Sequence, residues 1–114
     1  LNGGQLDGVR ILSRKTVELM MANHLNHMPP AALSSSESKG FGLGGSVRVD
    51  LAKGGDLGSV GQFGWSGAAT TYASLDPREK TVALLFVQHL PYDEHKIFWR
   101  FSTLFYQAIV EAAR

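Results

Sequence analysis

Cysteine is absent from this 114-residue sequence, which excludes a disulfide framework and a thiolate zinc site. The redox compartment therefore stays open, cytoplasmic and periplasmic or secreted locations being equally compatible. A large charge of either sign is also missing. The net charge of +1 gives no electrostatic case for nucleic acid or an anionic membrane as partner. No apolar run reaches membrane length, and no signal peptide opens the chain. Leu1 stands where a methionine would, so the beginning reads as a cut in a longer protein. There is no repeat, and low complexity is confined to the run Ser34-Ser35-Ser36.

What is present is ordinary for a folded domain, with 44% hydrophobic and 18% charged residues. The length predicts one domain over 1–114, able to bury roughly two thirds of its unfolded surface. Gly3-Gly4 and Asp7-Gly8 are turn signals. Ser13 sits as an N-cap before a helix over 14–23, with Val17, Met20 and Met21 on one face and Leu12 as a staple. From His24 to Lys39 the pattern dissolves into a loop around Pro29-Pro30. His24 and His27 fall where the helix ends and have no third ligand nearby, so no metal is expected there.

Phe41, Leu43, Gly45, Val47 and Val49 alternate with Gly42, Gly44, Ser46, Arg48 and Asp50, predicting one strand whose glycine positions are bare. Lys53-Gly54-Gly55-Asp56 reads as a hairpin turn with a return strand from Leu57 to Phe63. A strand over 70–75, a turn at Asp76-Pro77-Arg78-Glu79-Lys80, and an apolar strand over 81–88 covered on both faces follow. After Leu90-Pro91 comes a helix with a wide apolar face, Asp93 and Glu94 in its first turn and Arg114 at its end. The fold class expected is α+β: an antiparallel sheet of about four strands, a short N-terminal helix and a C-terminal packing helix.

The stretch Gln62 to Tyr72 is the most informative. Glycines, a tryptophan, a serine and two alanines fall together in Gly64-Trp65-Ser66-Gly67-Ala68-Ala69, and a glycine within a strand marks a close approach of backbone or ligand. Together with Gly3-Gly4-Gln5-Leu6-Asp7-Gly8-Val9-Arg10-Ile11-Leu12-Ser13, the helix bearing Val17-Glu18-Leu19-Met20, and Gly40-Phe41-Gly42-Leu43-Gly44, it resembles the C-terminal third of the serine β-lactamase-like hydrolases. That group holds class C β-lactamases, penicillin-binding proteins and family VIII esterases. The likeness runs over essentially the whole chain. It implies acyl transfer through an acyl-enzyme, an ester or amide substrate in the full-length parent, and no cofactor.

By that resemblance the family's Lys-Thr-Gly-like triplet falls on Trp65, Ser66 and Gly67. Tryptophan in place of lysine resembles the esterase branch and removes the partner of a β-lactam carboxylate. Ser66 would lie beside the substrate, Gly67 would keep the strand open, and Ala68 would supply one oxyanion amide. The nucleophile and base motifs are expected elsewhere. Ser36-Glu37-Ser38-Lys39 matches Ser-x-x-Lys literally but lies in a polar loop, and no Tyr-x-Asn occurs. Ser66 lacks the context of a nucleophile elbow. Tyr72, Tyr92 and Tyr106 read as packing residues, and His89 and His95 as surface histidines. The chain alone is thus expected to be inert. The alternative is a non-catalytic module that binds a peptide or forms a homodimer through exposed glycine-rich strands at Gly42/Gly44 and Gly64/Gly67. No aromatic row argues for a carbohydrate or lipid binder.

Overall fold

The computed structural model of the chain describes residues 1–28 and 37–111. It opens with a two-stranded antiparallel ribbon, β1 (Gln5–Leu6) and β2 (Val9–Arg10), in which Gln5 faces Arg10 and Leu6 faces Val9. Asp7 and Gly8 both have positive φ, 48° and 82°, as a tight primed hairpin turn demands. Helix α1 (Arg14–Met21) follows, and the Ser13 hydroxyl accepts from the Thr16 amide at 3.0 Å as expected of its cap. The helix stops short of Asn23 because that side chain takes another role: its Oδ1 accepts from the amides of Leu25 and Phe41.

The main sheet is antiparallel, in the order β3 (Lys39–Phe41), β4 (Ser46–Arg48), β5 (Phe63–Ser66), β6 (Tyr72–Asp76), β7 (Thr81–Leu85). It has five strands rather than about four, because the single strand expected over 41–50 is a hairpin. The Gly42 amide donates to Gly45 O at 2.8 Å, and Gly44 has φ +105°. Of the glycine positions expected to be bare, Gly44 does face open space, but a Cβ at Gly42 would meet Met20 O at 2.4 Å, and one at Gly64 would meet Ala73 O at 2.3 Å. At Gly42 and Gly64 backbone already occupies the space that the sequence leaves open.

The expected turn at Lys53–Asp56 is instead a one-turn helix, α2 (Leu51–Gly54), capped by the Asp50 carboxylate on the Lys53 amide and closed by Gly55 at φ +65°. The return strand begins only at Phe63, since Gly58 and Gly61 adopt positive φ and bend the chain before it. The turn after β6 is as expected, with Asp76 Oδ1 accepting from the Arg78 and Glu79 amides. The last strand is not covered on both faces: Val82, Leu84 and Phe86 are 49%, 52% and 81% exposed.

Helix α3 (Ile97–Gln107) closes the sheet over β6. Tyr72 stacks on Phe98 with centroids 5.2 Å apart and meets the edge of Phe101, and the Tyr106 hydroxyl donates to Asp76 Oδ2 at 2.9 Å. Asp93 and Glu94 precede the helix rather than lying in its first turn. Asp93 still serves the helix end, its Oδ1 accepting from the Phe98 amide at 3.1 Å. Arg114 lies outside the described residues. No helix among them is long and apolar enough to cross a membrane.

Candidate active site

Between the β3–β5 side of the sheet and the start of α3 lies an open cleft of about 490 Å³, within the usual range for small-molecule sites. The protein interior around it is unusual in composition. Val47 and Ala83 are the buried apolar residues among those described, whereas Arg48, Gln62, Thr70, Ser74 and Asp76 are buried and polar. Such groups persist in an interior only when hydrogen-bonded, and here they are. The Arg48 guanidinium grips both oxygens of Asp56 at 2.5 and 2.8 Å and donates through Nε to Gln62 Oε1, while Gln62 Nε2 donates to Ser74 Oγ at 2.6 Å. This chain of bonds ties β4 and β6 together through Gln62, the residue just ahead of β5.

The electrostatics follow from that contact. The hydrogen bond to Asp56 holds the Arg48 guanidinium charged beyond its ordinary range despite burial. Burial pushes the Asp56 carboxyl up, but the hydrogen bond and charge of Arg48 outweigh it and leave it below its ordinary value. Burial, then the bond to Asp76, pushes the Tyr106 phenol upward.

Aromatic rings form the upper walls. Phe41, Trp65 and Tyr72 stand on the sheet side, and Tyr92, Phe98 and Trp99 on the helix side. Phe41 and Trp65 meet edge to face at 5.1 Å, and Tyr92 meets Phe98 likewise at 5.3 Å. The aromatic row that the sequence hides is therefore present in space. Alternation along β5 would send Trp65 and Ser66 to opposite faces, yet both line the cleft. The pairing with β4 ends at Gly64, so Trp65 stands beyond its neighbour's end and is free to turn onto Phe41.

Ser66 Oγ lies 2.7 Å from the Tyr92 hydroxyl, and both groups face the cleft. Tyr92, expected from the sequence to be a packing residue, packs on Phe98 and in addition places its hydroxyl beside Ser66 in the candidate site. Gly67 and Ala68 do not line the cleft but form the β5–β6 turn, where the Gly67 amide donates to Thr71 O at 2.8 Å. The space beside Gly67 is filled by Thr71, whose Oγ1 would lie 2.3 Å from an added Cβ. Ala68 is exposed, and its amide makes no hydrogen bond among the described residues. Ser36 lies outside the described residues, while Lys39 reaches the cleft from β3.

The loop that delivers Tyr92 is fixed by one buried threonine. Thr70 is fully buried at φ +71°, a conformation costly for a β-branched residue. Its hydroxyl donates to His89 O at 3.0 Å and accepts from the Asp93 amide at 3.1 Å, and the His89 amide donates to Ala69 O. A cis peptide joins Leu90 to Pro91 within this loop.

No family model matches the chain. Over 98 residues it is 36% identical to the uncharacterized protein MT1414 and to Protein Rv1367c, both of Mycobacterium tuberculosis, covering 80% of this chain and 24% of each relative. The chain thus spans about a quarter of the length of these curated relatives. Among solved structures, unliganded Simvastatin Synthase (LovD) from Aspergillus terreus matches with a TM-score of 0.64 and 20% identity, over 88% of this chain and 30% of that one. EstCE1, a hydrolase with promiscuous acyltransferase activity, matches with a TM-score of 0.66 and 20% identity, over 83% of this chain and 25% of that one. At these identities the likeness is one of fold: the chain is α+β and resembles part of the β-lactamase-like fold.

Proposed function

We propose that this chain forms one wall of an acyl-transfer site in a serine hydrolase directed at esters or amides. The observation that supports the reading is the Ser66–Tyr92 hydroxyl pair set among aromatic rings in the cleft. The rings suit the acyl part of an uncharged substrate, and the two hydroxyls suit its polar end. Trp65 offers no cation for a substrate carboxylate, which favours esters over β-lactams. A nucleophilic serine from outside these residues would attack the carbonyl. The uncommitted Ala68 amide lies on the β5–β6 turn outside the cleft lining, two residues past Ser66, and would serve the oxyanion only of a carbonyl held at that rim, such a donor being typically worth about 3 kcal/mol in the transition state. Loss of the alcohol or amine would leave an acyl-enzyme, which water hydrolyses.

On this reading the chain alone is inert. Incubating it with a fluorophosphonate and mapping adducts by mass spectrometry tests that. No adduct in a folded sample is expected, and a stoichiometric adduct on Ser36 or Ser66 would make the chain itself an enzyme.

A second reading, a self-associating module, is favoured by a different observation: the exposed apolar side chains Val82, Leu84 and Phe86 on and just after the edge strand β7. Sedimentation velocity separates the two, a concentration-dependent dimer supporting association and a monomer at all concentrations excluding it.

A further inference from the structure

His89 and His95 flank the Pro91 turn, and the sequence reads them as surface side chains. The loop folds back so that they share one carboxylate. His89 Nε2 lies 3.3 Å and His95 Nε2 3.8 Å from Glu94 Oε2, and the two imidazoles are 4.9 Å apart. One ligand atom from each of the three residues falls within 4.8 Å of the others. His89 Nε2 is itself buried and makes no hydrogen bond among the described residues. A buried ring nitrogen that faces a carboxylate without forming a hydrogen bond has a lone pair or proton left to place.

We propose that His89, Glu94 and His95 bind a divalent transition ion of the zinc type. Imidazole nitrogens ligate zinc at roughly 2.0–2.1 Å and carboxylate oxygens at roughly 2.0–2.2 Å, so ligand atoms around a tetrahedral ion stand roughly 3.3–3.5 Å apart. The separations to Glu94 already bracket that spacing, and small side-chain rotations bring in the remainder. Three protein ligands leave a fourth position for water. His89 is held in place through its backbone by Thr70 and Ala69, which spares the site much of the ordering that an exposed loop would require. Tyr92 lies inside the ligand loop, so the bound ion closes that loop around the residue that reaches Ser66. The role is to clamp the loop, and the ion takes no part in the acyl transfer proposed above.

The test is zinc titration of the 114-residue chain against a chromophoric chelator, followed by visible absorption of the cobalt(II) form. One ion per chain, tetrahedral cobalt bands, and a loss of affinity of about tenfold or more in both Glu94→Gln and His95→Gln are expected. Glu94 and His95 are exposed, so these variants keep the fold. A third variant, His24→Gln with His27→Gln, should bind as the original does. Binding that survives Glu94→Gln and His95→Gln, binding lost in the His24/His27 variant, octahedral cobalt bands, or no binding by a folded chain would each overturn the proposal.

Discussion

The hydroxyls of Ser66 and Tyr92 meet at 2.7 Å, joining the strand at the centre of the sheet to the loop that enters the closing helix, 26 residues further along the chain. The pair sits open to the cleft, so its net worth to stability is at the low end of the usual 0.5–1.5 kcal/mol, about 0.5 kcal/mol. Replacing Tyr92 by Phe should shift the urea midpoint little while changing ester binding in the cleft. A large loss of stability with unchanged binding would make Tyr92 a packing residue after all.

The loop depends far more on Thr70. A Thr70→Val variant keeps the shape but leaves the Asp93 amide and His89 carbonyl without their bonds. The expected cost is about 1–3 kcal/mol by urea denaturation. An unchanged midpoint would show that water or a shifted loop takes over both groups.

The Arg48–Asp56 contact predicts a pH dependence of fixed sign. Asp56 is more acidic folded than unfolded, so its contribution is complete above the ordinary carboxylate value of about 4 and is lost as pH falls through the lower folded value. Urea midpoints taken from neutral pH downward should fall in that acid window, and Asp56→Asn should flatten part of the decline. At neutral pH the same variant should cost about 3 kcal/mol, because it leaves a buried guanidinium without its counter-charge. An acid slope identical in the two proteins would contradict the assignment.

Gly64 tests how tightly β5 is packed on its neighbour. A Cβ there would meet Ala73 O at 2.3 Å and Ser74 Cα at 3.1 Å, both backbone atoms with little room to give. Gly64→Ala should therefore destabilise by about 1–3 kcal/mol in a denaturant melt, and a neutral result would mean that the strands separate easily.

Local signals in the sequence were reliable where the chemistry is local. Ser13 as a cap and Asp7-Gly8 and Asp76-Pro77 as turns each depend on residues a few positions apart, whereas the wide apolar face expected of α3 is met only in part, Leu104 being 69% exposed. The glycine run after Phe41 misled because alternating glycines satisfy a strand's period and a turn's φ requirements equally. Trp65 and Ser66 stand out in the sequence and both line the cleft, although their common exposure to it depends on where β4 stops pairing. Tyr92, the Arg48–Asp56–Gln62–Ser74 chain and the His89–Glu94–His95 cluster were not legible. Each is made by the path of a loop or the register of a sheet, and no residue type announces its distant partner.

The measurement that bears most directly on the account is an amide and indole NMR titration of the 114-residue chain with p-nitrophenyl butyrate, an ester it is expected to bind without cleaving. Shifts concentrated at Trp65, Ser66 and Tyr92, with no release of p-nitrophenol, are the predicted result. Shifts confined to β7, or none in a folded sample, would contradict the assignment of the cleft as the wall of an acyl-transfer site.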